Sequence, residues 1–189
     1  MQDTFNQFQA IVLNKSIEVE DPANADQCMD LIFAWCDFLK IPREAVRHQY
    51  AYQVWDNPTP QTTEFFTLFP NTITFVPQAG DIGVFGTSVG FAGHVSIDTG
   101  KSNLINYLSL DQNWDTQHFN KGTDPVTGKL VPYTRNVTHY FYNGVKGFLR
   151  PKQAPPAPPL TYQQQVHDIV YSGDQDTQKV LAVQAITPK

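Results

Sequence analysis

Asp26-Gln27-Cys28-Met29-Asp30-Leu31 opens an apolar run that continues to Leu39. Apolar residues in this run recur with the i, i+3, i+4, i+7 spacing of one helix face, at Leu31, Ile32, Trp35, Phe38 and Leu39. Extended backwards, the stripe passes through Cys28, so we expect this thiol in the first helical turn, on the buried face. The partial positive charge of a helix N-terminus favours a nucleophilic thiolate, whereas most free cysteines are simply small buried residues. This stretch alone leaves both interpretations open.

The composition indicates a globular chain that carries little charge. Of 189 residues, 41% are hydrophobic and 16% are charged. The net charge of -5, without any cluster of lysine or arginine, argues against nucleic acid or an anionic membrane as partner. The N-terminus lacks the charged and apolar regions of a signal peptide, and no apolar run approaches the roughly 20 residues of a membrane span. We therefore expect a chain that is made in a cytoplasm and does not insert into a membrane.

The two cysteines, Cys28 and Cys36, are expected to be free thiols. Along one helix they would lie about 12 Å apart, at ~1.5 Å per residue, whereas a disulfide needs Cα atoms within about 7 Å. Cys36 lies off the apolar stripe and is interpreted as a structural thiol.

The chain predicts helices first and strands afterwards. Helical spacing in residues 4–13 precedes the Cys28 helix, for which Asn24 or Asp26 is the candidate N-cap. Residues 55–70, rich in proline, are expected to form a surface connection. Short β-branched and aromatic segments follow, at residues 73–76, 81–85, 94–98, 104–110, 137–142 and 147–149. This order predicts an α+β domain over residues 1–150, with an antiparallel meander or half-barrel.

The end of the chain has a different composition. The segment Gln153-Ala-Pro-Pro-Ala-Pro-Pro-Leu160 predicts a semi-rigid linker, assigned to residues 151–159. Residues 160–189 are too short for an independent core. They are either the stub of a further module or an interaction tail.

A catalytic cysteine needs a histidine to move its proton and a third group to orient that histidine. His94 lies at the start of a predicted strand, although a core histidine is the commoner explanation for such a position. The next strand ends near Asp111, and antiparallel pairing would bring Asp111 and Asn113 to the His94 end of the sheet. A carboxylate there would fix the tautomer of the imidazole. The alternative is a polar strand end beside a packed Trp114.

Four motifs, in this order, resemble those of CHAP domains, the cysteine, histidine-dependent amidohydrolases/peptidases, and most closely those of bacteriophage endolysins. They are Gln27-Cys28-Met29-Asp30-Leu31-Ile32, Pro77-Gln78-Ala79-Gly80-Asp81-Ile82, Gly93-His94-Val95-Ser96-Ile97 and Asp111-Gln112-Asn113-Trp114. The resemblance covers roughly residues 5–150. It implies a papain-like α+β fold with N-terminal helices packed on an antiparallel sheet. It also implies hydrolysis of an amide bond in bacterial peptidoglycan, with no cofactor required.

The resemblance also implies a role for each matching residue. Cys28 is the nucleophile, and His94 is the general base and then the general acid. Asp111 stands where the family more usually has glutamate as the orienting carboxylate, and Asn113 matches a fourth polar position. Because aspartate is one methylene shorter, Asn113 is expected to share in orienting the histidine.

Three further site predictions rest on the same motifs. The Gln27 side chain, with the backbone N–H of Cys28, is a candidate oxyanion donor, and Trp114 is a candidate substrate contact. Many phage members carry a calcium loop before the cysteine, and here Asp21 and Asp30 are the candidate ligands. Calcium takes six to eight oxygen ligands, but alanines occupy other ligand positions of this loop. A metal-free site is therefore expected, and structural calcium is the alternative.

The leading hypothesis is a phage lysin that is made in the host cytoplasm and acts on the cell wall after release. It would be an endopeptidase or an N-acetylmuramoyl-L-alanine amidase, and residues 160–189 would provide a wall-binding module or a contact to a binding subunit. The alternatives are a virion tail-associated lytic protein, an intracellular amidase acting on a peptide conjugate, and a non-catalytic wall-binding module.

Overall fold

A computed structural model describes residues 1–19, 27–114, 121–123 and 130–152; for residues 121–123 and 130–132 it describes the backbone. The helices are α1 (Gln2–Val12), α2 (Cys28–Leu39), α3 (Gln53–Asp56) and α4 (Pro60–Phe65), with 3-10 turns at Arg43–Ala45 and Thr87–Val89. The strands are β1 (Phe66–Pro70), β2 (Ile82–Phe85), β3 (His94–Asp98), β4 (Asn106–Asp111), β5 (Lys121–Thr123), β6 (Leu130–Pro132), β7 (Arg135–Tyr140) and β8 (Val145–Pro151).

Six of the strands form one antiparallel sheet in the order β1-β8-β2-β3-β4-β7, and β5 pairs with β6 separately. Helices on one sheet confirm the predicted α+β class. In the β3–β4 pair, Ile97 lies opposite Leu110 and Asp98 opposite Ser109. Because the two strands are antiparallel, the start of β3 lies beside the end of β4, as the sequence predicted.

Alternation of side chains along the strands divides the core in two. On one face, apolar residues of the sheet pack with α1 and α2 around the fully buried Trp35. Its indole Nε1 donates a hydrogen bond to the carbonyl oxygen of Gly80, at 3.1 Å. On the other face a smaller cluster, aromatic except for Val145, is formed by Phe85, Tyr107, Tyr142, Val145 and Phe148. Every second residue of β3 and β4 therefore faces an aromatic environment rather than the helices.

Several local predictions were wrong. The N-cap of α2 is Gln27 rather than Asn24 or Asp26. Residues 73–76 form a turn instead of a strand, with Ile73 94% exposed. Within the expected surface connection, Phe66–Pro70 is a strand that pairs with β8. The β propensity of residues 73–76 found no partner strand, whereas β1 is stabilised by a partner about 80 residues away in the sequence.

The described part of the chain contains no helix with the length and apolar character needed to cross a membrane. All elements named above lie in the compact unit Met1–Ala154. Strand β8 includes Pro151, so the first residue assigned to the linker still belongs to the sheet. Residues 153–189 lie outside the described residues, and the predicted linker and C-terminal segment stay predictions.

Candidate active site

Cys28 occupies the first turn of α2, where backbone N–H groups have no partner within the helix. The preceding Gln27 is extended, and its backbone N–H donates to Oδ2 of Asp30 at 2.9 Å. The backbone N–H of Val19 donates to the other oxygen of Asp30 at 3.4 Å. Asp30 therefore holds the start of the helix, and Cys28 lies there half-buried as a free thiol.

His94 is the first residue of β3 and is only 4% exposed. The residue before it, Gly93, has a φ of +66°, and a Cβ at that position would lie 2.5 Å from the carbonyl oxygen of Phe85. A side chain at residue 93 would displace the start of β3. Glycine thus allows the backbone at His94 to lie close to β2.

Asp111, the last residue of β4, accepts a hydrogen bond from His94: Nε2 and Oδ2 are 2.9 Å apart. An ionised carboxylate only accepts hydrogen bonds, so Nε2 of His94 carries the proton and Nδ1 is left to face the thiol. Burial lowers the pKa of His94, but the charge of Cys28 and the hydrogen bonds with Asp111 and Cys28 raise it to about 9. The structure thus brings together Cys28, His94 and Asp111, three of the four residues that the sequence singled out for catalysis.

A second histidine contacts the same carboxylate. Nε2 of His139, on β7, is 3.1 Å from Oδ2 of Asp111 and 2.8 Å from Oγ of Ser109, whose hydroxyl donates to Oδ1 of Asp111. Asp111 is fully buried, and burial raises its pKa, but the hydrogen bonds from His139 and His94 outweigh burial and hold it well below the usual range. Local sequence patterns do not predict His139 or Ser109 as site residues. The period of two in β4, which places Ser109 on the face of Asp111, was the available signal.

Asn113 is the second residue after the end of β4, and its backbone is left-handed, with a φ of +58°. Its Nδ2 donates to Oε1 of Gln27 at 3.2 Å. The contact described for Asn113 is therefore to Gln27, and the group that orients His94 is Asp111. Because Oε1 of Gln27 faces Asn113, the NH₂ group of the Gln27 amide is turned away from Asn113.

Gln112 is a further site residue that its local sequence pattern does not predict. Its buried side chain donates to the carbonyl oxygens of Ile17, at 2.8 Å, and Gln27, at 3.0 Å, and accepts the Ile17 N–H at 2.9 Å. This side chain ties the segment after α1 and the residue before Cys28 to the end of β4. Nothing in its local pattern distinguishes it from a polar strand end.

Trp114 is half-buried and packs on the two histidines. Its ring centroid lies 4.9 Å from that of His94 and 4.4 Å from that of His139, and Phe85 is 5.1 Å away. The predicted substrate contact thus forms one wall around the imidazoles, where it lowers the local dielectric and strengthens their hydrogen bonds to Asp111.

The described residues include one of the two candidate calcium ligands, Asp30. Both oxygens of Asp30 accept backbone N–H groups, and no group of three or more His, Cys, Asp or Glu in the described ranges could hold a metal ion. Asp21, the other candidate ligand, lies outside the described residues. The calcium site stays a prediction.

This chain is similar, over part of its length, to a protein described as an autolysin. No protein-family model matches it. Over 115 residues the chain is 30% identical to the "Probable autolysin PH" of Staphylococcus aureus (strain NCTC 8325 / PS 47), a match that covers 60% of this chain and 23% of that protein. The chain thus spans less than a quarter of the length of that curated relative.

Solved structures share the fold, and one of them is that of an endolysin. The wild-type endolysin LysIME-EF1 matches with a TM-score of 0.57 at 23% identity, over 79% of this chain and 62% of that chain. Ly7917 matches with a TM-score of 0.52 at 14% identity, over 80% and 62%. Its structure with the hydrolyzing product of MDP matches with a TM-score of 0.50 at 16% identity, over 80% and 62%. At these identities the likeness describes the fold alone.

Proposed function

We propose that this chain is a peptidoglycan hydrolase that cleaves an amide bond of the bacterial cell wall by Cys/His catalysis. The observation that carries the proposal is the chain of contacts from Cys28 through His94 to the buried carboxylate of Asp111. The similarity to an autolysin and the fold shared with endolysins support the wall as substrate. The four motifs that resemble CHAP domains support the cysteine-dependent class.

In the proposed reaction, His94 takes the proton of the Cys28 thiol, and the thiolate attacks the carbonyl carbon of the substrate amide. A pKa of about 9 keeps His94 protonated at neutral pH, so the imidazolium can donate this proton to the leaving amine. The C–N bond breaks and a thioester with Cys28 remains. His94, now neutral, takes a proton from water, whose oxygen attacks the thioester, releasing the acid product and the thiol.

The negative oxygen that forms in each attack needs hydrogen-bond donors. The backbone N–H of Cys28, in the first turn of α2, is one candidate, and the side-chain NH₂ of Gln27 is the other. Asn113 donates a hydrogen bond to Oε1 of Gln27 and so orients that amide. Asp111 stabilises the imidazolium and keeps His94 in the Nε2–H tautomer.

The decisive test is clearing of purified Gram-positive walls by the wild type and by Cys28→Ala. We expect Cys28→Ala to lose activity and Cys36→Ala, the matched control at the buried structural thiol, to keep it. Equal clearing by wild type and Cys28→Ala, or no clearing by the wild type at any pH or calcium level, would reject the proposal.

A second test needs no substrate. Pairing with His94 makes the Cys28 thiol reactive, so His94→Ala should slow its alkylation by iodoacetamide at neutral pH. An unchanged alkylation rate would contradict the assignment of His94 as base.

The bond can be identified from the products. Mass spectrometry of digested peptidoglycan would find a new N-terminal glycine or alanine for an endopeptidase, and free lactyl-muramic ends for an amidase. The tail-associated alternative predicts the chain in purified virions, and the intracellular alternative predicts turnover of soluble peptide conjugates without wall clearing. Wall targeting through residues 160–189 is part of the proposal, and their deletion should weaken binding to whole walls.

A further inference from the structure

His139 is a buried histidine that the reaction above does not use. Its ring lies 5.3 Å from that of Tyr107, nearly parallel at 25°, and 4.4 Å from that of Trp114, at 90°. Phe85 closes a third side, with its centroid 4.8 Å away. Packing thus leaves the imidazole little freedom to turn, and its Nε2 points at the carboxylate of Asp111.

The hydrogen positions around Asp111 follow from counting protons. The ionised carboxylate has none to give. The single hydroxyl proton of Ser109 goes to Oδ1 of Asp111, so it is not available to His139. Nε2 of His139, within 2.8 Å of Ser109 Oγ and 3.1 Å of Asp111 Oδ2, must therefore be the donor. His139 is held with its proton on Nε2.

We propose that His139 is a positioning residue: its Nε2–H, together with the Ser109 hydroxyl, fixes the carboxylate of Asp111 in the orientation that His94 needs. The inference rests on the proposed function. Strands β3 and β7 flank β4, so the two histidines hold the same oxygen of Asp111 from opposite sides. Ser109 holds the other oxygen, and rotation of the carboxylate would break all three contacts.

The groups that face Asp111 come from every neighbouring element. They are His94 on β3, His139 and Arg135 on β7, Tyr107 and Ser109 on β4, and Cys28 on α2, which acts through His94. Among them, His139 makes the largest contribution to keeping the carboxyl ionised. Loss of its donor should therefore allow Asp111 to be protonated at a higher pH.

Two matched variants separate the hydrogen bond from packing. His139→Phe keeps an aromatic ring in the cage and removes the donor, whereas His139→Gln offers an amide N–H in its place. For His139→Phe we expect kcat on walls to fall about 10- to 100-fold, the range for one lost hydrogen bond to a charged group, with KM unchanged. The acid limb of the pH profile should move to higher pH. His139→Gln should restore most of kcat and the original acid limb.

Alkylation of Cys28 by iodoacetamide against pH gives the same readout without substrate. If Cys28 of the wild type is alkylated with the expected pH profile but the wild type does not clear walls, the proposed function is rejected. Alkylation of Cys28 in the His139 variants would then still test the inference. An acid limb that is the same in wild type and folded His139→Phe would overturn the inference, as would equal losses in both variants. If His139→Phe does not fold, long-range ¹H–¹⁵N spectra of the wild-type imidazoles decide. A proton on Nε2 of His139 supports the inference, and an unprotonated Nε2 overturns it.

Discussion

Replacing Gln112 with alanine should destabilise the protein and loosen the start of the α2 helix. The Gln112 side chain makes three hydrogen bonds, two with Ile17 and one with the carbonyl oxygen of Gln27, the residue before Cys28. Gln112 is fully buried, so water does not replace these bonds without rearrangement. Because Gln27 directly precedes Cys28, Gln112→Ala also tests whether the Gln112 side chain holds the nucleophile in place.

The magnitude follows from the number of bonds. At roughly 1 kcal/mol net for each hydrogen bond, three bonds give a loss of about 3 kcal/mol in the free energy of unfolding. For a domain of this size, ~1 kcal/mol lowers the thermal midpoint by about 2–4 °C, so Gln112→Ala should lower it by roughly 6–12 °C. The released Gln27 carbonyl should also lower kcat for wall clearing, because Cys28 follows it directly.

The assay is urea unfolding of the full chain followed by tryptophan fluorescence, with Gln49→Ala as the matched control. Gln49 is exposed and its side chain makes one long hydrogen bond, of 3.4 Å, to Tyr50. The control should change the free energy of unfolding by less than about 0.5 kcal/mol. If Gln112→Ala were as stable as Gln49→Ala, the argument that these three bonds hold the segment together would be wrong.

The isosteric change Gln112→Glu adds a pH dependence. The new carboxyl would replace an NH₂ group that faces two carbonyl oxygens, so burial and repulsion would raise its folded-state pKa above the unfolded value of about 4.3. The folded protein then binds more protons than the unfolded chain, and stability falls as pH rises through this window. The difference from wild type should be larger at pH 7 than at pH 4.

Three further predictions concern packing, titration and metal. Gly83→Ala should cost about 1–3 kcal/mol in the free energy of unfolding by urea, because its Cβ would lie 2.4 Å from Oη of Tyr107. At Gly86 the nearest atom to an added Cβ would be in the flexible Lys146 side chain, at 3.3 Å, so equal losses at both glycines would contradict this. Burial raises the pKa of Asp98 from 3.8 to about 6, so its folded form binds the extra proton and its contribution to stability falls as pH rises from about 4 to 6. Asp98→Asn should lack that fall, and parallel pH–stability curves would argue against it. EDTA should leave the thermal midpoint and wall clearing unchanged, since backbone N–H groups already occupy both oxygens of Asp30; a loss that calcium restores and magnesium does not would establish the calcium site.

Local patterns predicted the elements that carry the site. The apolar stripe after Cys28 predicted α2, and its end at Leu39 agrees with the structure. The run from His94 predicted β3 with its observed bounds. Both segments are long or regular enough for periodicity to outweigh competing signals.

Other elements could not be predicted because their partners are distant in the sequence. Strand β1 exists because β8 pairs with it, and its own residues indicated a loop. His139 is a site residue because β7 lies beside β4 at the edge of the sheet. Neither pairing can be predicted from a sequence window of ten residues, because the paired strands are farther apart than that in the chain.

The sequence by itself determined that a thiol would begin an amphipathic helix, that a histidine would begin one strand and that a carboxylate would end the next strand. Those are consequences of spacing, which backbone geometry converts directly into position. Only the tertiary structure decided how the carboxylate is used: Asp111 is shared by His94 and His139, Ser109 takes its second oxygen, and Asn113 holds Gln27. Hydrogen bonds of about 3 Å depend on the register and twist of three strands together, and no single segment of the chain contains that information.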